Sequence, residues 1–360
     1  MRVVAAPDSF KGTIGAADAA AALAAGWRST RPGDEVIELP LADGGEGTVA
    51  VLAAALPGSR WHSAQVSGPG VARVTAEWLE IAGNGHVIEL ASAAGLTLLR
   101  PLQPLQAHTY GVGELIAHAL DAGARRIMIA LGGSACTDGG SGALAALGAR
   151  FLDGARRELS LGGGSLTRLA QVDLTGLRAK PPDGVVCLTD VRAPLLGPAG
   201  AAAVFGPQKG AGPDDIALLE AGLARLADLL GGEPAAPGAG AAGGAGYGLA
   251  AGWQAALLPG AAQIAAIAGL PAALAGADLV ITGEGQYDAT SQSGKVVGTV
   301  LAFAAEAGVP AAIVAGALAA QPPASVQTVE LASLAGGREP AIADPARWLA
   351  MAGRELAARR

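Results

Sequence analysis

The chain has 360 residues and a formal net charge of −7; 51% of its residues are apolar, but only 3% are aromatic. An acidic chain without clustered Lys and Arg argues against a nucleic-acid partner. Two cysteines, Cys136 and Cys187, are too few for a disulfide framework, so we expect a cytoplasmic protein. The histidines are too scattered to form a metal-ligand pattern: His62, His86, His108 and His118.

Short apolar runs that predict buried strands alternate with helical stretches along the chain. This alternation is typical of an α/β protein with a largely parallel sheet. Helical spacing of leucines predicts a helix over residues 214–230, and Asp344-Pro345 predicts the start of the last helix. The predicted strands are residues 3–6, 36–39, 127–131, 185–188, 279–281 and 311–315.

One segment interrupts this pattern. The strand-like runs 73–81 and 86–90 are separated by a turn that contains Asn84-Gly85, which predicts an antiparallel hairpin. A hairpin inside a parallel-sheet chain indicates an inserted domain. We therefore expect a discontinuous Rossmann- or flavodoxin-like domain of residues 1–62 and 280–360, with a parallel sheet. Residues 63–279 would form an inserted α/β domain with a mixed sheet.

The uncharged stretch 234–277 has the composition of a membrane segment. Its glycines and prolines divide it into pieces shorter than the roughly 20 residues that a helix needs to cross a bilayer. We expect buried helix and loop there, and no membrane partner.

Three glycine-rich loops carry most of the chemical information: residues 8–12, 43–48 and 132–140. Each follows a predicted strand and leads into a helical stretch, where backbone N–H groups attract anions. Acidic residues and a lysine in the same loops suggest a site for phosphoryl transfer. The alternative is that these are ordinary strand-to-helix turns, in which Asp138 only caps a helix.

Two later motifs favour the same interpretation. Asp190 ends one predicted strand and is followed by the 205–210 segment, and Glu284 ends another and is followed by Asp288. Ligands of open α/β sheets bind beyond the carboxyl ends of strands, where these loops would converge. Asp288 could also be a helix cap.

The common nucleotide-binding motifs do not identify a nucleotide site in this chain. Residues 293–296 contain Gly-Lys but lack the earlier glycine and the hydroxyl of a P-loop. Residues 238–243 match Gly-x-Gly-x-x-Gly, but they follow a proline-containing segment instead of a strand. A nicotinamide-dependent hydroxy-acid dehydrogenase therefore stays as the alternative from another class.

Taken in order, the motifs resemble those of the type I glycerate kinase family over essentially the whole chain. The matching segments are residues 6–12, 42–48, 109–115, 132–140, 205–210, 237–244 and 282–285. The resemblance implies two α/β domains around a cleft, and a phosphotransferase that uses ATP and Mg²⁺. The implied substrate is D-glycerate, and the implied product is 2-phosphoglycerate in preference to 3-phosphoglycerate.

The chemistry of the matching positions suggests roles. Asp190 is the first candidate for the base or for the acid that faces Mg²⁺, Asp43 is the second candidate base, and Lys11 a catalytic cation. Lys11 and Lys209 are candidates for binding a phosphate or the glycerate carboxylate. The expected cofactor-binding residues are Gly132, Gly133, Ser134, Asp138, Gly139, Gly140, Lys209, Gly283, Glu284 and Gly285. The expected substrate-binding residues are Ser9, Lys11, Asp43, Gly44, Glu46, Asp288 and Lys295.

We also expect Gly133 and Gly139 to lie at a loop edge, where valine would impair ATP binding and spare the fold. The chain departs from the family pattern at Cys136-Thr137, Thr189, Arg192 and Thr290. Arg192 follows a candidate catalytic acid, so a kinase of another small hydroxy acid or polyol stays open. The oligomeric state does not follow from these patterns.

Overall fold

The computed structural model describes residues 1–291 and 295–360. The strands are β1 (Arg2–Ala5), β2 (Glu35–Glu38), β3 (Arg60–Ser67), β4 (Arg73–Ile81), β5 (Gly85–Glu89), β6 (Arg126–Ala130), β7 (Arg150–Leu152), β8 (Gln171–Asp173), β9 (Val185–Leu188), β10 (Ala256–Leu258), β11 (Leu279–Tyr287), β12 (Ala311–Leu318) and β13 (Gln327–Glu330). The α-helices are α1 (Ala16–Thr30), α2 (Thr48–Ala55), α3 (Ala91–Ala94), α4 (Tyr110–Asp121), α5 (Ser141–Ala146), α6 (Ala201–Phe205), α7 (Pro213–Leu230), α8 (Ala241–Trp253), α9 (Gly260–Ile267), α10 (Leu270–Leu274), α11 (Val296–Ala307), α12 (Leu331–Ala335), α13 (Arg338–Ala343) and α14 (Pro345–Ala358).

The chain divides into two compact units, and each unit contains its own sheet. Unit 1 is formed by Met1–Asp43, Ala50–Pro57 and Pro259–Arg360. Unit 2 is formed by Gly44–Val49 and Gly58–Leu258.

The sheet of unit 1 has five parallel strands in the order β13-β12-β11-β1-β2. Counted along the chain within this unit, the strands take the order 2-1-3-4-5, which is the flavodoxin-like arrangement. The predicted α/β class with a parallel flavodoxin-like sheet is thereby confirmed. The order reverses between β1 and β11, so this pair of strands forms the topological switch point.

Helices cover both faces of this sheet because successive strand residues point to opposite sides. Val3 of β1 packs in a cluster with Leu23 of α1 and Leu349 of α14. Val4 packs in a second cluster with Ala265 of α9 and helix α11. Side chains of a parallel strand alternate between the two faces of the sheet. Because helices cover both faces, every position is buried and the sequence is a continuous apolar run.

The sheet of unit 2 has the order β10-β9-β6-β5-β4-β3. Strands β10, β9, β6 and β5 are parallel, whereas β4 and β3 join as antiparallel neighbours. The predicted mixed sheet and the hairpin between β4 and β5 are confirmed, with Ile81 opposite Gly85. The edge strand β3 was not predicted, because polar residues interrupt its apolar positions.

Helices α9 and α10 belong to unit 1, so the chain returns to that unit at Pro259. The sequence pattern predicts the return at residue 280, within the next predicted strand. Ala261, Ala265 and Leu270 pack with Val280 in one cluster of unit 1, which accounts for the earlier return. Within the described ranges, no helix has both the length and the apolar character needed to cross a membrane.

Candidate active site

A cavity of about 280 Å³ opens at the switch point of unit 1. Open α/β sheets bind ligands at this place, beyond the carboxyl ends of the strands. Asp8 follows β1 and Glu284 lies in β11, so the two acids come from the two strands at which the order reverses. The cavity is lined by Asp8, Ser9, Phe10, Lys11, Thr13, Asp43, Glu284, Gly285, Gln286, Asp288, Lys295, Gly316, Ala317, Leu331, Arg338, Ala341, Ile342 and Pro345.

Four carboxylates line this cavity, and two of them, Asp43 and Glu284, act electrostatically on a third, Asp8. Asp8 is only 8% exposed. Its burial, together with the negative charges of Asp43 and Glu284, raises the pKa of Asp8 to about 7. Burial also raises the pKa of Glu284, whose Oε1 is a buried oxygen without a hydrogen-bond partner among the described residues. This wall of the cavity therefore favours a proton or another positive group.

Cations balance the acids. Lys11 Nζ lies 3.6 Å from Asp43 Oδ2, and the Lys11 side chain is 78% exposed. The negative charge of Asp43 raises the pKa of Lys11, so the ammonium stays protonated. Lys295 precedes α11, and Arg338 is the first residue of α13. The sequence analysis missed Arg338, because its position beside the cavity depends on how α13 packs and has no local motif.

The other predicted residues of unit 1 shape the loops. The backbone N–H of Ser9 donates to Asp8 Oδ1 at 2.6 Å. Asp288 accepts from both the backbone and the hydroxyl of Thr290, which makes it a turn residue as well as part of the wall. Gly283 does not line the cavity; a Cβ there would lie 2.1 Å from the carbonyl oxygen of Val314 on the neighbouring strand.

A second group of predicted residues lies at the carboxyl ends of two neighbouring strands in unit 2. Gly132 and Gly133 follow β6, and Asp190 follows β9, which pairs with β6 in parallel. A Cβ on Gly132 would lie 2.4 Å from Gly45 Cα, so the 44–48 loop passes close over this edge. Gly133 is exposed and has a φ of +71°, which few residues other than glycine adopt.

The sequence analysis missed Glu89, which ends β5 at the same edge. Glu89 accepts a hydrogen bond from the backbone N–H of Val49 at 2.8 Å. Burial, with a contribution from Glu46, raises the pKa of Glu89. An acid at the end of an apolar run was the signal that could have identified it.

In the 44–48 loop, Gly44 is buried and has a φ of +87°, whereas Glu46 is exposed.

The remainder of the 132–140 loop is packed inside unit 2. Asp138 is fully buried and accepts hydrogen bonds from Thr109 and from the backbone N–H groups of Gly140 and Gly142. Asp138 therefore stabilises the start of α5, in agreement with the alternative prediction that it caps a helix. Ser134 Oγ likewise accepts from the Cys136 N–H.

Gly139 does not lie at a loop edge, which corrects our expectation. A Cβ at this position would lie 2.4 Å from Leu226 Cδ2, and one on Gly140 would lie 3.1 Å from Ala245 Cα. Lys209 is 2% exposed, and its ammonium donates to the carbonyl oxygen of Cys136. Burial lowers its pKa to about 8. Of the four glycines in this loop, Gly133 is the exposed one, so it is the candidate for contact with a phosphate.

The Gly-x-Gly-x-x-Gly match at 238–243 also has a packing explanation. A Cβ on Gly240 would lie 2.2 Å from the carbonyl oxygen of Pro194, and one on Gly243 would lie 1.9 Å from that of Cys136. Residues 242–244 have positive φ angles inside α8. These glycines permit the close approach of two backbones, so the dehydrogenase reading gains no support from them.

The donor set for a magnesium ion can be tested against this geometry. The described residues contain no group of three or more His, Cys, Asp or Glu side chains arranged to hold a metal. Mg²⁺ is commonly bound by one or two carboxylates together with substrate phosphates and water. Asp190 fits that requirement, because it is a half-buried carboxylate at the strand edge beside Gly132 and Gly133.

Comparison with known proteins identifies the family of the chain. Residues 3–359 match the model of the glycerate kinase family. The chain is 42% identical to the glycerate kinase of Bacillus subtilis, over 88% of this chain and 85% of that protein. It is 41% identical to the glycerate 2-kinase of Escherichia coli, over 82% of this chain and 80% of that protein. A crystal structure from Salmonella typhimurium LT2, provisionally named glycerate kinase 2, superimposes with a TM-score of 0.86 at 38% identity, covering 100% of this chain and 98% of the other. The chain belongs to the glycerate kinase family.

Proposed function

We propose that this protein transfers the γ-phosphoryl group of ATP to the 2-hydroxyl of D-glycerate and releases 2-phosphoglycerate and ADP. Kinase activity toward glycerate follows from membership of the family. The choice of product is supported by the relative in Escherichia coli that is named glycerate 2-kinase.

The cavity at the switch point of unit 1 is the observation that carries the proposal. Glycerate has a carboxylate and two hydroxyl groups, so its site needs a cation and hydrogen-bond acceptors. Lys11 and Arg338 supply positive charge at this cavity, and Asp8, Asp43 and Glu284 supply acceptors. We assign the glycerate carboxylate to Lys11, whose exposed ammonium is paired with Asp43 and still accessible to a ligand.

The edge of unit 2 is assigned to the phosphates of ATP. Gly133 presents exposed backbone without a side chain just after β6, which allows close approach of a phosphate group. Asp190, at the end of β9, would hold the magnesium ion. When bound, Mg²⁺ neutralises charge on the transferring phosphoryl group. Catalysis of phosphoryl transfer relies mainly on positioning and electrostatic stabilisation, which suits an edge of glycines and one carboxylate.

A coupled ADP-release assay tests the proposal. Purified protein with ATP, Mg²⁺ and D-glycerate should release ADP at a rate that depends on glycerate and disappears with EDTA. The substitution Asp190→Asn should lower kcat by about 10²-fold or more, and Asp18→Asn on the exposed face of α1 should leave it unchanged. Absence of glycerate-dependent ADP release, together with reduction of NAD⁺ to NADH by a hydroxy acid, would refute the kinase and favour the dehydrogenase.

A kinase of another small hydroxy acid is the second candidate, because Arg192 is an exposed cation two residues after Asp190. A panel of hydroxy acids in the same assay separates the two. The proposal requires the highest kcat/KM with D-glycerate. A larger kcat/KM with an acid of more negative charge would favour the alternative.

We also place the protein in the cytoplasm, where ATP and Mg²⁺ are available. Cys136 and Cys187 are buried free thiols, as is usual in a reducing compartment.

A further inference from the structure

We infer that Asp8 accepts the proton of the glycerate hydroxyl as its oxygen attacks the γ-phosphorus of ATP, an assignment that rests on the proposed function. The sequence analysis had placed this role on Asp190 or Asp43. The geometry of unit 1 favours a different carboxylate.

The position of Asp8 is the first argument. Its backbone N–H donates to the carbonyl oxygen of Gly283 at 2.9 Å, which fixes the end of β1 against β11. Its carboxylate lines the cavity at the switch point, where ligands of this fold bind. Ser9 N–H donates to Oδ1 and is the one hydrogen-bond donor to this carboxylate among the described residues. Oδ2 therefore keeps its lone pairs for a ligand.

The surroundings of Asp8 are the second argument. A general base works best when its pKa lies near the operating pH. The charged groups that face Asp8 are Asp43 from the loop after β2, Glu284 from β11 and Lys11 from its own loop. Burial and the two acids outweigh Lys11 and raise the pKa of Asp8 to about 7. The carboxylate is thus ionised in part at neutral pH and binds a proton readily.

The neighbouring acids are less suited to the role. Asp43 is already paired with the Lys11 ammonium, whose Nζ lies 3.6 Å from Asp43 Oδ2. Burial raises the pKa of Glu284 as well, but a hydrogen bond from Ser291 and the charge of Lys295 oppose that shift, so this carboxyl group already has partners of its own. Glu284 acts instead as a positioning residue, because its charge increases the proton affinity of Asp8.

The transfer breaks two bonds and forms two. The glycerate O–H bond breaks while its oxygen forms a bond to the γ-phosphorus, and the hydroxyl proton moves to Asp8. The electron pair of the bond between the γ-phosphorus and its bridging oxygen leaves with ADP. Asp8 then releases the proton to water after the products dissociate.

The pH dependence of kcat/KM for glycerate, measured with ATP and Mg²⁺ saturating, tests the assignment. Wild type should show an acid limb near pH 7, below which the rate falls about tenfold per pH unit. In Asp8→Asn, the amide oxygen can still accept from Ser9 N–H. This variant should bind glycerate normally by calorimetry, lower kcat by about 10²–10⁴-fold and lose the acid limb.

Two further variants keep the test decisive if Asp8→Asn fails to fold. Asp8→Glu should retain an acid limb. Glu284→Gln should move the limb to lower pH, because it removes a negative charge that faces Asp8. Asp18→Asn, at an exposed carboxylate on α1, is the control and should give the wild-type profile.

Four results would overturn the assignment: an unchanged acid limb in Asp8→Asn, more than about a tenth of wild-type kcat in that variant, loss of glycerate binding in place of turnover, or an unmoved limb in Glu284→Gln. A wild-type enzyme without any glycerate-dependent ADP release would instead refute the proposed function, so the two failures are distinguishable.

Discussion

The ammonium of Lys11 and the carboxylate of Asp43 form an ion pair within unit 1, with Nζ 3.6 Å from Oδ2. The two residues come from the loops that follow β1 and β2, which are adjacent parallel strands. Asp43 raises the pKa of Lys11 and so keeps a protonated ammonium at the cavity over the physiological pH range. The pair prepares a cation for an anionic substrate.

Replacement of Lys11 by methionine tests this role. Loss of a charge-stabilising donor typically costs about 10²–10³-fold in kcat, so we expect a loss of that size in steady-state ADP release. Arginine keeps the charge and should restore part of the rate. The exposed Lys180, which bonds Gln254 in unit 2, offers a control with the same substitution. Equal rates for Lys11→Met and Lys180→Met would contradict the assignment.

The buried carboxylate of Asp8 should also influence stability. Its folded-state pKa of about 7 exceeds the ordinary value of 3.8, so between these pH values the folded protein binds more protons than the unfolded chain. Stability therefore falls as the pH rises through this window. Asp8→Asn lacks this titration, so its Tm relative to wild type should increase from pH 4 to pH 7 and then level off. A Tm difference that does not change with pH would contradict the shift.

Lys209 shows the opposite dependence. Burial lowers its pKa from 10.5 to about 8, so in this window the folded protein binds fewer protons than the unfolded chain. Stability should rise with pH between these values. We therefore expect the Tm of wild type, relative to Lys209→Met, to increase from pH 8 to pH 10. Lys180→Met changes an exposed lysine and is the control. If the Tm difference between wild type and Lys180→Met followed the same pH trend, the trend could not be assigned to the burial of Lys209.

Gly133 and Gly139, two of the four glycines in the 132–140 loop, should respond differently to alanine. At Gly139 a Cβ would meet Leu226 at 2.4 Å, so Gly139→Ala should cost about 1–3 kcal/mol of unfolding free energy, as overpacking does. Gly133 is exposed, and alanine there should cost about 1 kcal/mol for the left-handed backbone. Gly133→Ala should also weaken ATP binding in calorimetry. Denaturant unfolding that ranks the two variants in the reverse order would contradict this account of the loop.

Much of the fold could be predicted from the sequence, because buried parallel strands are continuous apolar runs and Asn84-Gly85 specifies a hairpin. Strand β3 could not, since polar residues alternate along an edge strand. The three glycine-rich loops, residues 8–12, 43–48 and 132–140, could be predicted for a related reason, because each follows an apolar run. The burial of Lys209 was unexpected because lysine is seldom buried. The environment of Asp8 was equally inaccessible, since Glu284 approaches it only through the pairing of β1 with β11.

Phosphorus NMR of the reaction products tests the central claim most directly. Protein incubated with D-glycerate, ATP and Mg²⁺ should yield ADP and one new phosphomonoester. In a proton-coupled spectrum that signal should be a doublet, because the phosphorus of 2-phosphoglycerate couples to a single proton on the neighbouring carbon. A triplet would indicate phosphorylation of the terminal hydroxyl. A spectrum without any new phosphomonoester, from protein that is folded by its melting curve, would contradict the assignment of glycerate as the substrate.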